Sequence, residues 1–293
     1  MSKANLFIAG PIKSGTTSLN HLLGQHQYIF SSKIKETHFF SDLVSTEKND
    51  LNDELPHSNN IHSFKIFNPK NYDLQYDQKL HYKYFIDASP TYFIDSKAPK
   101  KIFDYNPNSI ILLIYRNPFE RLFSHAKMVK SLRNIDDTLT DLINKDYYKN
   151  KRTQFEDSYF VEYSLYSEAI LRFSAYFPKK QLILLDLYNI TKGEKGINSL
   201  LQFLDLPPFD RKIDLSRKNA DLLLSRRQIS ILKKLLPVSI LPPKTKEKLR
   251  KSLISNRQHE KELKIDFLDN NVVDRIICDE QKLLEVSEKI TRI

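Results

Sequence analysis

The chain has 293 residues, 40% apolar and 28% charged, with only 5 glycines and no tryptophan. That length allows one large α/β domain or two small ones with a core that needs no staples, and the apolar and charged fractions exclude a disordered tail. Its 46 Lys and Arg against 36 Asp and Glu give a formal charge of +10, which favours anionic partners, although the basic residues are dispersed rather than blocked.

The first predicted element is a strand over 5–10 (NLFIAG), followed by the loop GPIKSGTT at 10–17. A helix over 16–26 comes next, with Leu19, Leu22 and Leu23 on one stripe. A strand, a tight loop and a helix in that order aim backbone N–H groups and the positive end of a helix at one point, which suits an anion. Thr16, Thr17 and Ser18 add hydroxyl groups at the helix start. Lys13 sits inside the loop, whereas an ATP-binding loop would place its lysine where Thr16 stands.

KETHFF at 35–40 brings Glu36, either a salt-bridge partner for Lys13 or Lys35 or a general base. His38 in the same segment is either a packed core histidine or a group that orients or shares a proton. Residues 41–63 are polar and poor in pattern, as expected of a functional or mobile loop. Strands are predicted over 83–89 (KYFIDAS) and 109–116 (SIILLIYR).

In YRNPFERLFSHA (115–126), Arg116 lies at a strand tip, Asn117 is the N-cap and Pro118 opens a helix running to Leu132. Arg121, Ser124 and His125 share one face of it. Arg116 with Ser124 reads either as a clamp for a phosphate monoester or as an arginine paired with an acidic neighbour.

A polar connection over 133–158, a helix over 163–176 and a strand over 181–187 follow. After Pro207-Pro208 the pattern turns to Leu-, Lys- and Arg-rich helices, including 220–236 and 243–255. Short, almost continuously apolar strands alternating with helices predict a three-layer α/β fold with a central, mostly parallel sheet. One domain is expected over 1–293, with its core at about 5–205 and a helical extension at about 206–293.

The single cysteine, Cys278, excludes an internal disulfide and a cysteine-built zinc site, and the 8 histidines form no ligand pair, so no metal is expected. No run approaches the ~20 apolar residues of a membrane span. Residues 1–9 do not read as a secretory signal, so the expected place is the cytoplasm.

Taken together, these segments resemble the sulfotransferases that use 3′-phosphoadenosine-5′-phosphosulfate, in their bacterial and heparan-sulfate-modifying branch. That family's P-K-x-G-T-[ST]-x-L loop is matched by Pro11, Lys13, Gly15, Thr16, Thr17 and Leu19, with Ile12 as one additional residue. Its R-[ND]-P-x-x-R-x-x-S element, which binds the 3′-phosphate, is matched by Arg116, Asn117, Pro118, Arg121 and Ser124. KETHFF resembles the segment whose glutamate acts as base, and DASPTYF (87–93) resembles the T-P-x-Y element with Ser89 in place of threonine. Ala88 stands where heparan-acting members often carry lysine.

The resemblance implies a P-loop-type fold and catalysis by Lys13, Glu36 and His38. It also implies donor binding by Pro11, Lys13, Ser14, Gly15, Thr16, Thr17, Ser18, Arg116 and Ser124. Asn219 and Arg226 (or Arg227), in a basic stretch before a C-terminal helix, resemble the residues that close over the nucleotide. The acceptor would be a small molecule or glycan, with no nucleic acid involved. The competing readings are an ATP-dependent P-loop kinase and a non-catalytic basic nucleotide- or glycan-binding protein.

Overall fold

The apolar runs form strands because each is covered on both faces. In the first, Leu6 and Ile8 join one core while Phe7 joins the other, and all three are fully buried. The computed structural model describes residues 2–43, 68–76, 81–149, 158–191, 194–211, 213 and 268–293. Within them lie β1 (Leu6–Ile8), α1 (Thr16–Leu23), β2 (Ile29–Ser31), α2 (Pro69–Asp73), β3 (Tyr84–Asp87) and α3 (Ala98–Tyr105). After these come β4 (Ile110–Tyr115), α4 (Pro118–Arg133), α5 (Leu139–Tyr147), α6 (Tyr166–Ser174) and β5 (Leu182–Asp186). The remaining elements are α7 (Leu187–Thr191), α8 (Glu194–Phe203), α9 (Asn270–Val286) and β6 (Thr291–Arg292).

The six strands form one sheet in the order β2-β3-β1-β4-β5-β6, and every pairing is parallel. On one face, Leu19, Leu22 and Leu23 of α1 and Ile197, Leu200 and Leu201 of α8 pack on Ile8, Ile86, Leu112 and Leu185. On the other, Ile102 of α3, Ile170 and Phe173 of α6 and Leu283 of α9 pack on Phe7, Ile111 and Leu184. This is the three-layer arrangement expected of buried parallel strands. Because all strands run the same way, the loops after β1, β3 and β4 gather at one edge, where α/β sheets place their ligands.

Several boundaries differ from the sequence reading. The first helix stops at Leu23 because Gly24 caps it, and the helix expected over 163–176 begins at Tyr166, after a 3₁₀ turn over Glu162–Ser164. Inside the polar connection 133–158, α5 forms behind Thr138, whose hydroxyl accepts from the Asp141 N–H. β2 and β6 have 3 and 2 residues, too few for periodicity to register.

Within the expected C-terminal extension, α9 is the described helix, and it packs back on the domain. Asp279 on α9 accepts from the Ser167 N–H at 3.0 Å and from its hydroxyl, and β6 pairs with β5 as an edge strand. The helices expected over 220–236 and 243–255 lie outside the described residues, as does most of the loop 41–63. Among the described residues, no helix is long and apolar enough to cross a membrane.

Candidate active site

The loop after β1 turns on two left-handed residues, Lys13 at φ 67° and Gly15 at φ 93°. Alternation of this kind points successive N–H groups into one concavity, the backbone cradle that anions occupy. Ser14 is fully buried, and its hydroxyl donates to the Pro11 carbonyl at 2.7 Å. Expected among the donor-binding groups, its side chain instead braces the loop from within. Gly10 is glycine for lack of room, since an added Cβ would lie 2.8 Å from Thr16 Cγ2 and 2.9 Å from Ser14 Oγ. Thr17 and Ser18 are half-exposed in the first turn of α1, while Thr16 is buried.

Arg116 follows β4, and its Nη1 donates to the Lys13 carbonyl at 3.0 Å, tying the two predicted anion sites together. The Tyr166 hydroxyl fixes this strand end, donating to the Arg116 carbonyl at 3.0 Å and accepting from its N–H at 3.2 Å. Arg116 also lies 3.5 Å from Glu120, the acidic neighbour of the alternative reading, but that carboxylate is 59% exposed. An exposed pair of this kind is weak and does not preclude a phosphate. Asn117 caps α4 as expected, its side chain accepting from the N–H groups of Phe119 and Glu120, and Ser124 is half-buried on that helix.

Arg121, which the sequence places on one helix face with Ser124 and His125, is fully buried with its donors committed. It donates to the Ser164 hydroxyl at 2.8 and 3.0 Å, to the Ile12 carbonyl at 3.1 Å and to the Phe160 carbonyl. Burial lowers its pKa to about 10, still well above neutrality. Arg121 is therefore a brace for the loop rather than a ligand of anything outside it. His125, one turn on, is buried beside it; burial first, then the charges of Arg121 and Lys13, hold its imidazole well below the usual histidine range.

Glu36 and His38 sit on the neighbouring loop after β2, both in the left-handed region, at φ 64° and 51°. Glu36 is 4% exposed and pairs with Lys35, as one expected alternative had it. His38 is equally buried; its Nδ1 lies 2.9 Å from the Thr91 hydroxyl and its Nε2 lies 3.9 Å from Glu36. It is thus both packed and beside the carboxylate. Tyr163 is buried against His125 and Phe93. Burial pushes its phenol above the ordinary range, the Arg121 charge opposes that shift, and Glu36 adds to it.

A sulfotransferase domain model matches residues 3–276. The chain belongs to the sulfotransferase family. It is 27% identical over 210 residues to the heparan sulfate glucosamine 3-O-sulfotransferases 5 of mouse and human. That match takes in 69% of this chain and 53% of each relative, so it spans about half of their length. The fold resembles a solved sulfotransferase from Alicyclobacillus acidocaldarius, with a TM-score of 0.63 at 22% identity over 87% of this chain and 97% of that one. It also resembles the sulfotransferase domain of the curacin biosynthetic pathway, at TM-score 0.53 and 13% identity over 98% of both chains.

Within this sulfotransferase fold, the structure brings Pro11, Lys13 and Thr16–Ser18 to one edge with Arg116 and with the Glu36–His38 segment. Asn219, Arg226 and Arg227 lie outside the described residues. The sequence reading passed over Asp87, the buried last residue of β3, though a carboxylate closing an apolar strand was a signal to notice. Among the described residues no group of His, Cys, Asp or Glu is gathered as a metal site.

Proposed function

We propose that this chain transfers the sulfuryl group of 3′-phosphoadenosine-5′-phosphosulfate to a hydroxyl or amine of a carbohydrate or another small acceptor. The observation that carries the reading is the bond from Arg116 to the Lys13 carbonyl, which couples a loop shaped for one anion to an arginine placed for a second. A donor with a phosphosulfate at one end and a 3′-phosphate at the other matches that pair. The carbohydrate acceptor is supported by the likeness to the mouse and human heparan sulfate glucosamine 3-O-sulfotransferases 5.

In this mechanism the loop N–H groups, Thr16, Thr17 and Ser18 hold the phosphosulfate end, and Arg116 with Ser124 holds the 3′-phosphate, so the donor's register is set. Asn219 and Arg226 or Arg227 are further candidates for the nucleotide. An acceptor oxygen or nitrogen attacks sulfur as the bond from sulfur to the phosphate oxygen breaks. Glu36 takes the acceptor's proton, and His38 beside it keeps the carboxylate aimed. Lys35 pairs with Glu36 through a side chain that is 23% exposed, so it has room to swing aside as an acceptor arrives. Negative charge grows on the departing phosphate oxygen, where Lys13 meets it.

The test is to incubate the protein with sulfur-35-labelled donor and an extract of the host cell, and to identify the labelled product. Glu36→Gln should nearly abolish the label while binding of adenosine 3′,5′-bisphosphate persists. An active Glu36→Gln variant would return Glu36 to a structural partner of Lys35. Preferential binding of ATP with magnesium would overturn the donor assignment.

A further inference from the structure

Asp87 ends β3, is fully buried and touches no expected ligand, yet its carboxylate is the meeting point of four side-chain hydroxyls. Its Oδ2 accepts from Thr37 at 2.8 Å, Tyr92 at 2.8 Å and Tyr72 at 2.9 Å, and its Oδ1 accepts from Ser89 at 2.9 Å. These donors come from four places: α2, the loop carrying Glu36, the segment directly after β3, and the 3₁₀ turn over Pro90–Phe93.

The polarity of this cluster is what matters. An ionised carboxylate only accepts, and a hydroxyl has a single proton to give. Each hydroxyl that spends its proton on Asp87 therefore presents a lone pair elsewhere. The Ser89 oxygen accepts from the His38 N–H at 3.0 Å, the Thr37 oxygen from the Phe39 N–H at 3.4 Å, and the Tyr92 oxygen from the Phe40 N–H at 3.4 Å. One buried anion thus directs three hydroxyls to collect three consecutive backbone donors. Those donors lie directly after Glu36, in a stretch where Glu36 and His38 are both held at positive φ. Non-glycine residues keep such a conformation only when their surroundings fix it.

We propose that Asp87 is a positioning residue: its carboxylate orients Ser89, Thr37 and Tyr92 so that they hold the amides of His38, Phe39 and Phe40 and keep Glu36 and His38 in place. Asp87 itself reaches neither donor nor acceptor. The functional half of the proposal rests on the reading of Glu36 as the base; the structural half does not. Asp87→Asn keeps the shape but replaces an acceptor by an N–H donor. At least one hydroxyl must then turn its proton away, and where that hydroxyl is Ser89, Thr37 or Tyr92 the amide it had been accepting from loses a fixed acceptor.

The experiment compares amide hydrogen exchange in the full chain with and without Asp87→Asn, alongside binding of adenosine 3′,5′-bisphosphate and transfer of labelled sulfate to the extract. Exchange at residues 38–40 should accelerate at least tenfold, with α1 and α4 unchanged and nucleotide affinity within twofold. Transfer at saturating donor should fall at least thirtyfold. Unchanged exchange at 38–40, or an equal acceleration throughout the chain, overturns the proposal. If Asp87→Asn does not fold, Ser89→Ala carries the same test, with the acceleration concentrated at the His38 amide and an unaltered rate there counting against it. Glu36→Gln separates the two readings. Should it remain active, the base assignment falls while the exchange result still decides the network; should it be inactive while Asp87→Asn transfers at the wild-type rate, the positioning role falls.

Discussion

The Arg121 guanidinium donates to the Ile12 carbonyl at 3.1 Å, so a residue of α4 holds the backbone of the loop that follows β1. The same side chain reaches Phe160 and Ser164, joining three segments from a fully buried position. Arg121→Met would leave two carbonyls and a hydroxyl without this donor, each unmade buried bond costing about 1–3 kcal/mol. Removing a desolvated charge offsets part of that loss. We expect a net destabilisation of about 2–4 kcal/mol, read from the urea midpoint. A midpoint equal to that of the wild type would contradict the bracing role.

His125 gives the stability a pH dependence of predictable sign. Its imidazole is buried and its Nδ1 accepts from Arg121 Nη1 at 3.3 Å, and burial with the Arg121 and Lys13 charges lowers its pKa well below the usual value. In the folded state it stays neutral where the unfolded chain, with a pKa of about 6.5, takes up a proton. The unfolded state then binds more protons, so this contribution is complete above about pH 6.5 and is lost as pH falls. The slope is at most about 1.4 kcal/mol per pH unit. Urea unfolding at several pH values below 6.5 should show a shallower slope in His125→Gln than in the wild type. Identical slopes would mean that another group carries the effect.

The sheet was legible in the sequence wherever a strand is long and buried on both faces, as in SIILLIYR, which yields β4. β2 and β6 were not, because two or three edge residues carry no period of their own and are defined by the neighbour they pair with. The anion loop and the Arg116 helix start could be read because local chemistry specifies them: glycine for a left-handed turn, and Asn-Pro for a helix N-terminus. Arg121 and Asp87 show the limit. In sequence an arginine on a helix looks like an ordinary polar residue, and an aspartate closing an apolar strand signals a buried carboxylate without naming its partners; the hydrogen bonds show which segments each one joins.

Arg116 provides a test of donor register. On the proposed reading Arg116 holds the 3′-phosphate together with Ser124 of α4, and charge-assisted bonds to a phosphate contribute about 1.5–3 kcal/mol. Arg116→Ala should therefore weaken adenosine 3′,5′-bisphosphate by roughly 10- to 150-fold in titration calorimetry. Adenosine 5′-phosphosulfate, which lacks the 3′-phosphate, should lose far less. Equal losses for the two ligands would remove the 3′-phosphate from Arg116.

Lys13 is the sharpest case, because its backbone and its side chain have separable roles. The left-handed turn at φ 67° and the bond from Arg116 belong to the main chain, and the fold keeps both when the side chain is shortened. In the proposed mechanism the ammonium group, by contrast, matters most when charge builds on the oxygen that leaves sulfur, since a positioned cation stabilises that transition state more than the bound donor. Lys13→Ala should then lower turnover by about 10²- to 10³-fold, the range seen when one preorganised donor to a developing oxyanion is removed. Binding of adenosine 3′,5′-bisphosphate should weaken much less, and the melting temperature should stay close to that of the wild type. If turnover were unchanged, the leaving-group role would be wrong. If turnover and nucleotide affinity fell by the same factor, Lys13 would be holding the donor equally in the ground state and the transition state, and its place within the loop would reflect binding rather than catalysis.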